Sequence, residues 1–229
     1  MIPKIIHYCW FGNAPLPSTA HKCLESWKKY LPEYEIILWN EENSPMKIPF
    51  VRDAYKAKKY AFVADYVRIW AVYTYGGIYM DTDMLVIRPM GELLEKIELF
   101  FGYEDSKGKY INAAIFGAVK NARFISDILF KYNNTQFSLD KIYQITIPNI
   151  ITEIYETKNL YQDEVLIFNY EYFYPLPQKK RRDCNFMKYA TSHTYAIHLW
   201  DASWLTLKER IFYHLKRFYF GKYRNTILR

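Results

Sequence analysis

The chain has 229 residues, 51% hydrophobic and 24% charged, proportions ordinary for a folded soluble protein with room for one α/β domain, and its 19% aromatic content, with 23 Tyr, is high. Its net charge of +7 sits in two patches: residues 205–229, with seven Lys/Arg against Glu209, and Lys179-Lys180-Arg181-Arg182. The remainder is mildly acidic, which argues against a nucleic-acid-binding domain, where a basic face across the fold is expected.

In chain order, Ile5-Ile6-His7-Tyr8-Cys9-Trp10-Phe11 reads as a buried first strand, ended by the loop Gly12 to Pro17. Ser18 or Thr19 caps a helix through about Tyr30, with Cys23, Leu24 and Trp27 on one face. Glu35-Ile36-Ile37-Leu38-Trp39 is a second strand, and Asn40 to Pro49 is rich in turn residues. Residues 51–75 read as helical, closed by Gly76-Gly77. A strand over Ile78–Ile87 follows, carrying Asp81-Thr82-Asp83. Residues 98–103 form a strand, 110–119 a strand pair or a strand and loop, and 124–132 and 149–156 helices. Residues 165–168 form a strand, 172–175 a turn, and 195–200 a late strand. Leu205 to Tyr219 is amphipathic, with Ile211, Leu215 and Phe218 on one helical face. Strands alternating with helices predict an α/β fold with a mostly parallel sheet.

Cys9, Cys23 and Cys184 are odd in number and widely spaced, which suggests neither a disulfide framework nor a zinc site. The N-terminus lacks the basic-then-apolar layout of a signal peptide, and no apolar run reaches the ~18–20 residues that span a bilayer. A cytoplasmic protein is expected.

The centre of the chain carries the chemistry. Asp65 and Arg68, at i and i+3, share a helix face. Tyr79, Asp81 and Asp83 share a strand face, since side chains alternate. Gly76-Gly77 turns the helix back on the strand, so the charged faces meet at the sheet edge where ligands of open α/β sheets bind. Two carboxylates one residue apart in an apolar run are costly unless paired. A hard cation such as Mn²⁺ or Mg²⁺ holding a diphosphate satisfies them, and a guanidinium grips phosphate through its planar fork.

This arrangement, D-x-x-R followed by G-G-x-Y-x-D-x-D, resembles the glycosyltransferases with a DXD-containing sugar-binding region. These include fungal initiating mannosyltransferases and bacterial capsular-polysaccharide enzymes, with the glucosylating domains of large clostridial toxins more distant. Ile2 to Gly12, Ile147-Pro148-Asn149-Ile150-Ile151-Thr152 (with Ile147 where the family has Gly) and Ala196 to Trp204 extend the resemblance. It implies a nucleotide-diphospho-sugar transferase fold of the GT-A, Rossmann-like kind over residues 1–204, with a basic aromatic helix at 205–229. By the same resemblance Asp65 and Arg68 contact the donor sugar and phosphate, Tyr79 lines the nucleotide pocket, and Trp10 lies near the base. Asp83 is the direct metal ligand, Asp81 contacts ribose or reaches the metal through water, and His198 is a third ligand. Asn112 touches the donor sugar, while Ser203 and Trp204 cover the diphosphate. His7 and His193 receive no role.

The expected activity is retaining transfer of a hexose from a nucleotide-diphospho-sugar, UDP-linked first and GDP-mannose second. The acceptor is a polysaccharide, oligosaccharide or lipid-linked glycan, as in bacterial capsule or surface polysaccharide synthesis. No carboxylate stands out as a covalent nucleophile, so a front-face mechanism is expected. The basic aromatic tail suits an anionic membrane surface, with a peripheral place at the inner face of the cell membrane. The rivals are a metal-dependent nucleotidyltransferase or phosphodiesterase, and a non-enzymatic membrane-binding module.

Overall fold

The computed structural model describes residues 1–141, 144–157 and 161–201. The basic tail, Ser203 and Trp204 therefore lie outside the described residues. Six strands form the main sheet: β1 (Ile5–Cys9), β2 (Glu35–Trp39), β3 (Gly77–Met80), β5 (Leu99–Tyr103), β6 (Ile111–Ala118) and β7 (Leu166–Phe168). They run in the order β2-β1-β3-β6-β5-β7. β1 pairs parallel with β2 and β3, and β5 pairs parallel with β7. β6 is antiparallel to both of its neighbours, so the sheet is mixed but mostly parallel. β4 (Met84–Val86) and β8 (Ala196–His198) form a separate antiparallel ribbon.

The helices are α1 (Ser18–Tyr30), α2 (Pro49–Lys56), α3 (Tyr60–Tyr75), the single turn α4 (Gly91–Leu94), α5 (Arg123–Asn133) and α6 (Ile147–Thr157). One apolar cluster joins α2, α3, α5 and α6 to one face of the sheet. The other joins α1, the β4–β8 ribbon and residues 173–176 to the opposite face. Trp27 of α1 is fully buried in the second cluster, and its indole N–H donates to the Met84 carbonyl (2.7 Å). Burying a side chain of that size contributes roughly 1.5–3 kcal/mol or more, and here it also pins the ribbon to the sheet.

The structure refines two sequence expectations and corrects a third. The helical span 51–75 is two helices, divided at Ala57–Lys59 with Lys58 in the left-handed region (φ 56°). Of the two readings of residues 110–119, the structure has the single strand, Ile111–Ala118, rather than the pair. The Asp-bearing run 78–87 is two strands in two sheets, and Asp81-Thr82-Asp83 is the turn between them. The Met84 N–H donates to the Asp81 carbonyl (2.9 Å) and closes that turn.

The Gly76-Gly77 step behaves as expected. Gly76 (φ 69°) donates its N–H to the Val72 carbonyl and ends α3. At Gly77 (φ 106°) a Cβ would lie 2.7 Å from the Ile5 carbonyl oxygen, so only glycine lets β3 enter beside β1. His7 is fully buried, with Nε2 against the Gly76 carbonyl (2.7 Å) and Nδ1 accepting from the Trp39 indole (3.1 Å).

Candidate active site

Three elements converge at the carboxyl end of β3. α3 supplies Asp65 and Arg68, whose side chains pair at 3.1 Å. Arg68 also reaches Asp81 at 3.2 Å, donates to the Ala113 carbonyl of β6 at 2.9 Å, and lies 4.6 Å over the Tyr79 ring. Tyr79 donates its hydroxyl to Asp81 (2.9 Å). The backbone of Asp81 is fixed in turn by its N–H bond to the Ala114 carbonyl (2.7 Å). Strand alternation therefore does not align Tyr79, Asp81 and Asp83. The turn and Arg68 do.

The β4–β8 ladder brings in the third element. Met84 pairs with His198, which sets His198 Nε2 3.2 Å from the Asp83 carboxylate. The Asp201 N–H holds the other Asp83 oxygen at 2.8 Å. One ligand atom each from Asp81, Asp83 and His198 lies within 4.8 Å of the others. The sequence assigned these three residues to the metal, and the fold brings them together.

The electrostatics suit a cation. Burial raises Asp81 above the ordinary carboxylate range despite Arg68, and neighbouring Asp83 adds to the rise. Burial alone would raise Asp83 and lower His198. Their mutual attraction outweighs burial, lowering Asp83 and raising His198. Asp65 is pushed up to about 7, chiefly by burial and against the pull of Arg68. His198 turns Nε2 to Asp83, and its buried Nδ1 has no hydrogen-bond partner among the described residues. Two carboxylates and an imidazole form a donor set that fits a divalent cation such as Mn²⁺.

The remaining expected residues fall nearby or outside. Asn112 opens β6 and is buried. Its Oδ1 accepts the Ala114 N–H (2.8 Å), and its Nδ2 donates to Glu104 (3.1 Å). Trp10 follows β1, half-buried, with its indole N–H donating to the Ala14 carbonyl (2.7 Å). In the Ile147-to-Thr152 segment, Ile147 starts α6 and its N–H bonds Asp65. Thr152 Oγ1 accepts the Ile111 N–H (3.0 Å), so the segment braces both Asp65 and the start of β6.

Three neighbours carried no sequence signal of a role. Glu104, just beyond β5, holds the Asn112 amide, and its charge reaches His198 and Tyr174. Tyr174, read only as part of a turn, is buried, and its hydroxyl accepts the Ile115 N–H (3.1 Å). The Trp200 ring stands 4.0 Å from that of His198. Trp200 adopts φ 54°, uncommon for a bulky residue, and its indole N–H donates to the Leu176 carbonyl (2.8 Å). It lay inside the closing motif, but nothing local marked it.

The mixed sheet, with its acidic turn at the end of β3, defines the class: a GT-A-type glycosyltransferase fold. The solved PaToxG glycosyltransferase superposes with a TM-score of 0.58 at 16% identity, covering 71% of this chain and 72% of that one. A glycosyltransferase involved in glycosylation of the major capsid of PBCV-1 gives 0.54 at 16%, covering 86% and 94%.

Residues 17–100 match the family described as the glycosyltransferase sugar-binding region containing a DXD motif. The chain is 36% identical over 98 residues to inositol phosphoceramide mannosyltransferase 3 of Schizosaccharomyces pombe, over 41% of this chain and 27% of the relative. The match thus spans about a quarter of that relative's length. An uncharacterized glycosyltransferase, L373, of Acanthamoeba polyphaga mimivirus is 26% identical over 222 residues, 89% of this chain and 84% of the relative.

Proposed function

We propose that the chain transfers a hexose, with retention of configuration, from a nucleotide-diphospho-sugar to a glycan or lipid-linked acceptor. The observation that carries this reading is the convergence of Asp81, Asp83 and His198 beside Arg68. A divalent cation held by those three residues would supply charge neutralisation at the donor's diphosphate. Arg68 offers its guanidinium to a phosphate oxygen, and its bonds to Asp65 and Asp81 keep the fork in place. Asp65 also orients sugar hydroxyls. Tyr79 fixes Asp81, Asn112 presents its amide to the donor sugar, and Trp10 flanks the base.

Asp65 and Asp81 are paired with Arg68, and Asp83 is held by His198, which favours the front-face route. The bond from the anomeric carbon to the diphosphate breaks, and the acceptor oxygen bonds on the same face. The acceptor's proton passes to the departing phosphate oxygen. Positioning and electrostatics supply the rate. The names of the fungal relatives favour a mannosyl donor, hence GDP-mannose over a UDP-hexose, and a lipid-linked acceptor.

The test is a panel of nucleotide sugars with Mn²⁺, scored for release of nucleoside diphosphate by the wild type and by Asp83→Ala. Turnover of one donor, abolished by chelator and by the substitution, is expected. No turnover, and no metal-dependent binding of any nucleotide, would sink the reading.

A further inference from the structure

The run Lys179-Lys180-Arg181-Arg182 has no part in the reaction above, yet it lies close to the site. Leu176, three residues before the run, accepts the Trp200 indole N–H at 2.8 Å, and Trp200 packs 4.0 Å from His198. The run is carried on a short helical turn, Gln178–Lys180. The Lys180 N–H bonds the Pro177 carbonyl (2.7 Å), and the Asp183 N–H bonds the Lys180 carbonyl (2.8 Å).

Residues 177–190 hold five Lys/Arg and a single acidic residue, Asp183. The Asp183 carboxylate is taken up within the segment, by Lys188 (2.6 Å), the Tyr189 hydroxyl (3.0 Å) and the Asn185 N–H (3.1 Å). It is not left to neutralise the run. Lys179 and Lys180 are exposed and pair with no acidic side chain among the described residues. Met187, in the same segment, is 49% exposed.

We propose that this segment is a docking surface for an anionic phospholipid bilayer, which seats the mouth of the active site on the membrane. A segment that carries both exposed basic side chains and an exposed apolar one suits the headgroup boundary, where cations meet lipid phosphates and a thioether enters the acyl edge. A nucleic-acid backbone would use the charges but leave Met187 in water. The inference deepens the lipid-linked acceptor reading and rests on it for its purpose. The docking itself needs no donor and no turnover.

The experiment is co-sedimentation of the full chain with vesicles of phosphatidylcholine alone or with about 30% phosphatidylserine, at about 0.1 M salt. Wild type is compared with the Lys179→Glu/Lys180→Glu variant, whose unchanged thermal midpoint verifies folding. Binding to the anionic vesicles only is expected. The double variant should lose about tenfold or more in partitioning, because each basic residue near such a surface contributes about 1 kcal/mol. Undiminished binding by the variant would overturn the proposal and assign any membrane affinity elsewhere, as to residues 205–229. Equal binding to neutral vesicles would overturn it too, as would displacement from the vesicles by a random-sequence DNA duplex at matched phosphate. Because vesicle binding is read without a nucleotide sugar, a failed docking test and a failed donor panel are separate results.

Discussion

Replacing Arg68 by methionine keeps most of the side-chain volume and removes the charge that joins the two halves of the site. Arg68 is buried, pairs with Asp65 (3.1 Å) and Asp81 (3.2 Å), and donates to the Ala113 carbonyl (2.9 Å). Removing one partner of a buried ion pair costs about 3–5 kcal/mol, because the other charge is left uncompensated. At 2–4 °C per kcal/mol for a chain of this size, the thermal midpoint should fall by about 6–20 °C.

The loss should depend on pH in a definite direction. Asp65 already titrates at about 7 through burial, with Arg68 opposing the rise. Asp81 is likewise raised by burial and held down by Arg68. Without the guanidinium both carboxyls move further up. A carboxyl with a raised folded pKa keeps a proton that the unfolded chain has released, so stability falls as pH rises from the unfolded value to the folded one. The deficit of the variant should therefore be largest near about pH 8 and shrink towards about pH 5, as both carboxyls become neutral. Urea melts of both proteins across that range measure it. A deficit below about 1 kcal/mol, or one equal at both ends of the range, would refute the claim that Arg68 compensates these carboxylates.

Three further outcomes are expected. Gly77→Ala should cost about 2–3 kcal/mol in a chemical melt, since φ 106° and a 2.7 Å approach to the Ile5 carbonyl leave no room for a Cβ; a neutral substitution would remove the argument for that step. Mn²⁺ at about 100 times its dissociation constant should stabilise the wild type by about 2.7 kcal/mol. Asp83→Asn should show little of this stabilisation, and an equal rise in both midpoints would place the cation elsewhere. Glu104→Ala should raise the donor KM about three- to tenfold by freeing the Asn112 amide, the worth of one hydrogen bond. Glu104→Gln should restore most of the loss, and a KM indifferent to both changes would deny Glu104 that role.

What was legible in the sequence was what local spacing controls. Asp65 and Arg68 meet because a helix places i and i+3 together. The Gly76-Gly77 step is readable because few other residues reach its dihedral angles. The break at Ala57–Lys59 was not readable, since no Gly or Pro marks it and Lys58 is held at φ 56° by the surrounding fold. The run from Ile78 to Ile87 misled for a related reason: apolar residues on both sides of Asp-Thr-Asp look like one strand when the strand partners are unknown. β3 pairs with β1 and β6, whereas β4 pairs with β8. That change of partners forces the turn, and it also carries His198 to Asp83. The misreading of the strand and the assembly of the metal cluster thus have one cause. A continuous strand would have left β8 without β4 as its partner, and His198 without the ladder that sets it beside Asp83. Glu104 and Trp200 were hidden in the same way: each acts through a partner, Asn112 or His198, that only the tertiary fold brings into contact.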